Sequence, residues 1–427
     1  MNSLIIFGLL VGLMLTGMPI SISLGLTVLS FLFFLTDVPI EAVAMKLFTG
    51  IEKFEIMAIP FFILAGNFLT HGGVARRMIY FATSMLGHWH GGLGLGGVMA
   101  CALFAAVSGS SPATVVAIGS ILMPAMVKAG FPKRFGAGVI TTSGALGILI
   151  PPSIVMVMYS VSTNTSVGAL FMAGIIPGLV LASMLGFTTW YRAWKNDYPR
   201  QPRATWRERW VSFRKAVWGL LLILVVMGGI YSGMFTPTEA AAVSAVYAFL
   251  VAVFVYKDMG LKDVPKVLLS SANMSAMLLY IITNAVLFSF LMTHENIPQE
   301  MASWMMGTGV GVIGFLLISN VLLLLAGNFM EPSSIVLILA PILFPIAMQL
   351  GMDPVHFGII MVVNMEVGMC HPPVGLNLYV SSGITKMGIT ELTVAVWPWL
   401  LTMLVFLVIV TYWPPLSIWL PKMMGMM

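Results

Sequence analysis

The chain has 427 residues, of which 59% are hydrophobic and 8% charged, against about 25% charged in a soluble globular protein. This excludes a soluble multidomain enzyme and a disordered chain, and the two cysteines, Cys101 and Cys370, lie in apolar stretches and exclude a disulfide scaffold. The net charge of +5 does not point to nucleic acid, because eight of the 20 Lys and Arg residues fall between Arg192 and Lys215, where they read as a membrane-topology signal.

The first base is Lys46, so the apolar N-terminus lacks the basic leader of a cleaved signal peptide and is expected to stay in the membrane. Apolar segments of spanning length are expected at about 19–35, 56–70, 168–191, 216–233, 237–256, 267–293 and 392–413. Bases cluster at Arg76 and Arg77, at Lys128, Lys133 and Arg134, at 192–215, and at Lys257, Lys262 and Lys266, and the positive-inside rule makes these clusters cytoplasmic. Asp37, Glu41, Glu295, Glu300 and both chain ends then fall outside. The stretch 192–215 carries Trp194, Trp206 and Trp210 among its bases and reads either as an amphipathic connector at the lipid headgroups or as a solvated loop.

The chain repeats itself. Pro112, Pro124, Gly130, Gly136 and Pro151-Pro152 return as Pro332, Pro345, Gly351, Gly358 and Pro372-Pro373, at offsets of 220 to 222. The connector around Gly130 carries Lys128, Lys133 and Arg134, whereas its counterpart around Gly351 carries only Asp353. The charge contrast puts the two connectors on opposite sides, so the repeat is expected to be inverted. The expected organisation is a first repeat over 1–191, a basic cytoplasmic connector over 192–215 and a second repeat over 216–427.

Each repeat contains an apolar run too long for one span and broken at its centre, at Ser108-Gly109-Ser110-Ser111-Pro112 within about 92–129 and at Gly327-Asn328-Phe329-Met330-Glu331-Pro332 within about 310–350. Both read as re-entrant helical hairpins. From Lys128 back to Pro112 is 16 residues, or about 24 Å of helix, which puts the tip deep in a bilayer core about 30 Å thick. Each hairpin precedes a second interrupted helix, about 135–160 with its break at 144–152 and about 357–381 with its break at 368–373. Non-helical backbone at this depth must be packed in protein or line an aqueous cavity.

Small residues such as Ser108, Ser110 and Ser111 also suit tight helix packing, but their place at a tip mirrored by Asn328 and Glu331 points to a ligand site. Glu331 and Glu366 are carboxyls expected inside the membrane, where an ionisable residue is costly and usually functional; the alternative is a protonated cap on a helix end. His371 fits a hydrogen-bonded structural group, His88-Trp89-His90 fits an interfacial anchor, and the 35 methionines fit adaptable helix packing. No residue pattern calls for a cofactor.

Several stretches resemble one known family, the large membrane subunit of the tripartite ATP-independent periplasmic (TRAP) transporters. They are Ile59-Pro60-Phe61-Phe62-Ile63-Leu64-Ala65-Gly66, the Ser108-to-Pro112 tip, Gly147-Ile148-Leu149-Ile150-Pro151-Pro152-Ser153, Gly327-Asn328-Phe329-Met330-Glu331 and His371-Pro372-Pro373-Val374-Gly375-Leu376-Asn377. The resemblance covers nearly the whole chain and implies an all-α polytopic protein of the bacterial inner membrane, not an enzyme. It implies an elevator-type, sodium-coupled importer of a small organic acid, a C4-dicarboxylate or another carboxylate such as a sugar acid. The implied partners are a small four-helix membrane subunit, expected on a separate chain, and a periplasmic substrate-binding protein; the lipid is the remaining partner and no nucleic acid is expected.

On the residues themselves, a cation is expected at two quasi-equivalent oxygen-rich sites: Ser108, Gly109, Ser110, Gly144 and Gly147 in one repeat, and Asn328, Met330, Glu331 and Gly368 in the other, the glycines acting through backbone carbonyls. The acid is expected between the hairpin tips and the Pro-Pro breaks, at Ser111, Pro151, Pro152, Ser153, Glu366, Pro372, Pro373 and Asn377. No Lys or Arg occurs from Phe135 to Tyr191 or from Val267 to Thr385, so an anion there relies on helix N-termini, N–H groups, hydroxyls, amides and the bound cation. A proton-coupled anion transporter working without a binding protein is the alternative. An intramembrane enzyme is disfavoured because the chain has no His-Glu-x-x-His and no paired membrane aspartates, and an ATP-driven permease because it has no phosphate-binding Gly-x-x-x-x-Gly-Lys-Ser/Thr loop.

Overall fold

A computed structural model describes the chain except residues 1, 37, 308, 310, 373 and 374, and its described residues form helices and turns without strands. The helices are α1 (Asn2–Leu15), α2 (Ile20–Leu35), α3 (Ile40–Thr49), α4 (Ala58–His71), α5 (Val74–Leu86), α6 (Gly92–Ser108), α7 (Ser111–Lys128), α8 (Lys133–Gly144), α9 (Ile154–Thr163) and α10 (Val167–Lys195). They continue as α11 (Trp206–Tyr231), α12 (Pro237–Leu250), α13 (Val264–His294), α14 (Ile297–Gly307), α15 (Gly311–Gly327), α16 (Pro332–Gln349), α17 (Pro354–Gly368), α18 (Leu376–Thr385), α19 (Ile389–Tyr412) and α20 (Pro415–Met423). Among the described residues eight helices are long and apolar enough to cross a bilayer. The protein is a polytopic membrane protein.

An inner layer is built from α6 to α9 and α15 to α18, and its packing follows one plan twice. The first arm of each helix pair packs on the helix that follows the pair, α6 on α8 and α15 on α17. The second arm also crosses to the other half of the chain, α7 onto α18 and α16 onto α9. The long helices α10 and α19 pack on each other and on this layer. Outside it, α4 lies between α12, α13 and α6, while α13 bridges α2, α3, α4 and α16. Every residue of α17 after Pro354, and of α8 from Phe135 onward, is buried, which explains why these helices show no polar face in the sequence.

The expected spans at 19–35, 237–256, 267–293 and 392–413 match helices within a few residues. The connector does not stand as expected. Helix α10 continues to Lys195 and α11 begins at Trp206, so most of 192–215 extends two transmembrane helices and only about ten residues link them. A capping box starts α11: Thr205 Oγ1 accepts from Glu208 N at 3.2 Å while the Glu208 carboxylate accepts from Thr205 N at 2.7 Å. The same device at Thr236 and Glu239 starts α12, so Glu239 is an exposed member of an N-terminal capping box.

Polar contacts at three places tie the outer shell to itself or to the inner layer. Asn67 donates to Ser271 Oγ at 2.8 Å between α4 and α13, and Arg76 and Arg77 both pair with Asp258. Lys53, just before α4, donates to Val161 O at 2.5 Å and Asn164 Oδ1 at 2.7 Å at the end of α9; burial lowers its pKa from the ordinary lysine value. Opposite placement of α8 and α17 starts is testable directly. Single cysteines replacing Lys133 and Asp353 are expected to react with an impermeant thiol reagent from opposite faces of the membrane, and labelling from one face would overturn the inverted repeat.

Candidate functional site

The first break is held by backbone contacts that only glycine permits. Helix α6 ends at Ser108, and Gly109 takes φ +62°, the left-handed conformation, so that the chain can turn at once into α7. Behind this turn lies the interruption between α8 and α9, a 3-10 turn over Ala145–Ile148 followed by Pro151-Pro152. A Cβ on Gly147 would stand 2.5 Å from Ser110 O, and one on Gly109 would stand 2.9 Å from Pro152 O. Ile154 N donates to Gly109 O at 3.4 Å. The structure therefore brings Ser108, Gly109, Ser110, Gly147, Pro151 and Pro152 together, with Gly144 packed against Val115 one turn away.

The second break repeats this with different atoms. Gly327 at the end of α15 faces Gly368 at the end of α17, and a Cβ on Gly368 would lie 2.8 Å from Gly327 Cα. Asn328 O accepts from Gly375 N at 3.3 Å, and its side-chain Oδ1 lies 2.9 Å from His371 Nδ1. Asn328, Gly368 and His371 thus meet at one place. Met330 and Glu331 follow in the same turn, Glu331 being the residue before α16, while Phe329, between Asn328 and Met330, points outward, 67% exposed. Pro372 follows His371 in the break; Pro373 lies outside the described residues.

One polar link joins the two breaks. Asn377, in the first turn of α18, donates to Ser111 Oγ at 2.8 Å and to Thr141 O at 3.3 Å. Thr141 Oγ1 and Ser381 Oγ share a 2.7 Å hydrogen bond, and Cys370 Sγ donates to Thr141 O at 3.4 Å. Ser111 opens α7, Asn377 is the second residue of α18 and Ile154 opens α9, so three helix N-termini converge here, with that of α16 at the second tip. Ser153 is committed locally: it donates to Ile148 O at 2.6 Å and accepts from Met156 N as the cap of α9. Glu366 is fully buried on α17, one turn before Cys370, and neither of its oxygens has a hydrogen-bond partner among the described residues.

The donor set fits a small hard cation. Hydroxyls, amide oxygens and carbonyls freed by helix breaks are the ligands such an ion prefers, and Ser143 Oγ, Ser334 Oγ, Asn364 Oδ1 and Asn377 Oδ1 are buried without a partner among the described residues. Among the described residues no three His, Cys, Asp or Glu side chains are grouped to hold a transition metal. Sequence reasoning overlooked Thr141, Ser143, Ser334, Asn364 and Ser381. The repeat itself could have found some of them: Ser143 and Asn364 are 221 positions apart, and Thr114 and Ser334 are 220 apart, the spacing of the proline pairs. Thr114 shares a 2.9 Å bond with Ser108.

The family model described as "Tripartite ATP-independent periplasmic transporter, DctM component" matches residues 7–416. The C4-dicarboxylate TRAP transporter large permease protein DctM of Rhodobacter capsulatus is 75% identical, with the whole of both chains covered. The protein of the same name from Pseudomonas aeruginosa is 56% identical over 95% of each chain. Among solved structures, the Alcanivorax borkumensis YdaH transporter is similar with a TM-score of 0.62 over 90% of this chain and 91% of that one, at 16% identity, a likeness of fold alone.

The close contacts at the breaks set an expected stability outcome. Gly368→Val puts a side chain into the backbone of Gly327 and is expected to lower the melting temperature in detergent steeply, overpacking of a tight core typically costing about 1–3 kcal/mol. Asn377→Ala, which removes the donor to the Ser111 hydroxyl and one of two donors to the Thr141 carbonyl, is expected to cost about 1 kcal/mol or more. Gly383→Ala, on the same helix as Asn377 with nothing within 4 Å of its added Cβ, is expected to leave the melting temperature unchanged.

Proposed function

We propose that this chain, which belongs to the family of the DctM component of tripartite ATP-independent periplasmic transporters, is the large permease for uptake of a C4-dicarboxylate across the bacterial inner membrane, driven by sodium. The observation that carries the reading is the convergence of helix N-termini on two facing breaks in a region free of Lys and Arg. A dicarboxylate brings two negative charges, and each helix N-terminus offers the equivalent of about half a positive charge. Backbone N–H groups there, with the Ser111 hydroxyl and the Asn377 amide, suit carboxylate oxygens. The substrate class follows the names of the two relatives at 75% and 56% identity.

Sodium enters as the coupling ion. Ser108, Gly109, Ser110, Gly144 and Gly147 are assigned to one site and Asn328, Met330, Glu331 and Gly368 to the other, each pairing a hairpin tip with the break behind it. Ser111, Pro151, Pro152, Ser153, Pro372, Pro373 and Asn377 are assigned to the acid's side of the tips; the caps made by Ser153 restrict it to shaping the α9 N-terminus rather than donating to substrate. Glu366, with no positive neighbour, would repel an anion when ionised, which favours a place on the cation side or a protonated state. Since no side chain in the region carries a full positive charge, the ion supplies the missing potential, and acid and ion bind as one electrostatic unit. A small membrane subunit and a periplasmic binding protein complete the proposed system, and alternating access is proposed to proceed by elevator-like movement of the inner layer.

The test is uptake into proteoliposomes containing this chain and its small membrane subunit, supplied with binding protein and a C4-dicarboxylate. Uptake is expected to follow an imposed inward sodium gradient and to fall at least tenfold when sodium is replaced by potassium; uptake driven only by a pH gradient would overturn sodium coupling. Ser108→Ala and Asn328→Ala are each expected to shift sodium activation to higher concentration, and unchanged activation curves in both would remove the ion placement. Acid affinity is expected to rise with sodium, and by linkage sodium affinity to rise with acid by the same factor. Free acid without binding protein is expected to give negligible uptake.

A further inference from the structure

The outer face of the α10–α19 pair carries a feature that the transport site does not use. A groove of about 490 Å³ runs along the seam, walled by Leu179, Ser183, Phe187 and Thr188 of α10 and Thr402 of α19. Thr188 and Thr402 share a 2.7 Å hydrogen bond, and Ser183 donates to Leu179 O at 2.8 Å, so the hydroxyls in the groove are satisfied from within. Leu179 and Phe187 are 59% and 64% exposed. On a helix that crosses the bilayer, such exposure is to lipid tails.

The cytoplasmic end of the same seam has the opposite chemistry. Arg192 lies one turn beyond Thr188, with its guanidinium carbon 5.2 Å from the centre of the Trp399 ring on α19, and it has no carboxylate partner among the described residues. Trp399 is fixed in place by donating to Thr189 Oγ1 at 2.8 Å. Tyr191, Trp194 and Lys195 beside it are exposed, and Trp190 stacks on Trp194. The groove therefore has an apolar body with an aromatic and cationic head.

Its dimensions match one leaflet. Thr188 is four residues from Arg192 and Leu179 is 13, or about 6 Å and about 20 Å along a helix, whereas half the bilayer core is about 15 Å. The body thus runs from just beneath the headgroups to past the midplane. A lipid without a phosphate, or an apolar helix, would fill it but leave the guanidinium facing only a ring, and a zwitterionic headgroup would offset the attraction of its phosphate with its own cation. A phosphate at the interface would take the guanidinium in a forked, charge-assisted bond.

We propose that this groove binds one anionic phospholipid of the cytoplasmic leaflet, with its phosphate on Arg192 and an acyl chain along the α10–α19 seam. Helix α10 packs on α17 and α19 packs on α8, so the lipid bears on the two helices that end in the breaks, and occupancy links membrane composition to the inner layer.

The experiment is native mass spectrometry of the purified full-length chain, titrated separately with dioleoyl phosphatidylglycerol and dioleoyl phosphatidylcholine. The first phosphatidylglycerol is expected to bind at least tenfold more tightly than the first phosphatidylcholine. Arg192→Gln is expected to abolish that preference, while Arg200→Gln, in the same basic region, keeps it. Thr402→Trp, or Ser183→Phe where the former does not fold, fills the groove and is expected to weaken the first site for both lipids at least fivefold. Equal affinity for the two lipids, or an equal loss in Arg200→Gln, would overturn the site in favour of a diffuse basic surface. A photocrosslinker at Ser183 that captures the small membrane subunit in cells, rather than lipid, would overturn it in favour of a protein interface.

Discussion

The constraint on which this structure depends is that a bilayer offers no water to the backbone. Any residue that leaves helical geometry at mid-membrane must find its hydrogen bonds in protein. Among the described residues this chain leaves it at 109–110, 145–153, 328–331 and 369–372, and places each turn against a break. Gly109 O takes the N–H of Ile154, Asn328 O takes that of Gly375, and Asn377 N donates to Met369 O at 3.0 Å. Such mutual satisfaction requires backbone to approach backbone, which is why Gly147 abuts Ser110 and Gly327 abuts Gly368. Polar groups and glycines are therefore not separate features of the site. The glycines let the backbones close enough for the polar groups to be shared.

The same geometry creates the electrostatics. Breaking a helix exposes an N-terminus on one side of the break and a C-terminus on the other, so each interruption is a source of positive and negative potential without any charged side chain. The carbonyl ends suit a cation and the N–H ends suit an anion, and the cross-repeat bond from Asn377 to Ser111 holds two N–H ends together. A lysine would serve an anion more simply, but it would have to be desolvated in every state that crosses the membrane. Under the proposed function, dipoles avoid this and leave the anion dependent on the co-bound ion.

Much of the fold was legible because it follows from punctuation. Proline and glycine cannot be placed mid-span without consequence, so Pro112, Pro151-Pro152, Pro332 and Pro372 marked the interruptions, and their spacing revealed the repeat. The connector was misread because charge marks the membrane boundary but not the end of a helix: α10 and α11 continue past the headgroups with Arg192, Lys195, Arg207 and Arg209 on their turns. The site was legible only within each repeat. Thr141 with Ser381 and Ser111 with Asn377 are 240 and 266 positions apart, and neither pair stands in equivalent positions of the two repeats, so periodicity gives no sign of them. Nor does a threonine in an apolar helix announce itself, since its hydroxyl is usually satisfied by the carbonyl one turn back, as Thr141 is also, through Ala137 O at 2.7 Å.

The unpartnered groups mark where the inner layer departs from ordinary helix packing. Asn364 donates to Asn320 Oδ1 at 2.8 Å, Asn320 donates to Thr411 Oγ1 at 3.1 Å, and this ladder joins α17 to α15 and α19. Interhelical bonds of this kind are worth about 0.6–2 kcal/mol in membranes, enough to fix neighbours but not to compensate an isolated buried acceptor. Yet Asn364 Oδ1, Ser143 Oγ and both Glu366 oxygens are without partners among the described residues, each within about one turn of a break, while the hydroxyl of Thr142, next to Ser143, is satisfied by its own helix. Ser319, Ser334 and Asn377 add unpartnered oxygens on α15, α16 and α18, and Ser143 and Asn364 stand 221 positions apart, at the spacing of the repeat. These oxygens are the ones available to the ion and acid sites proposed above.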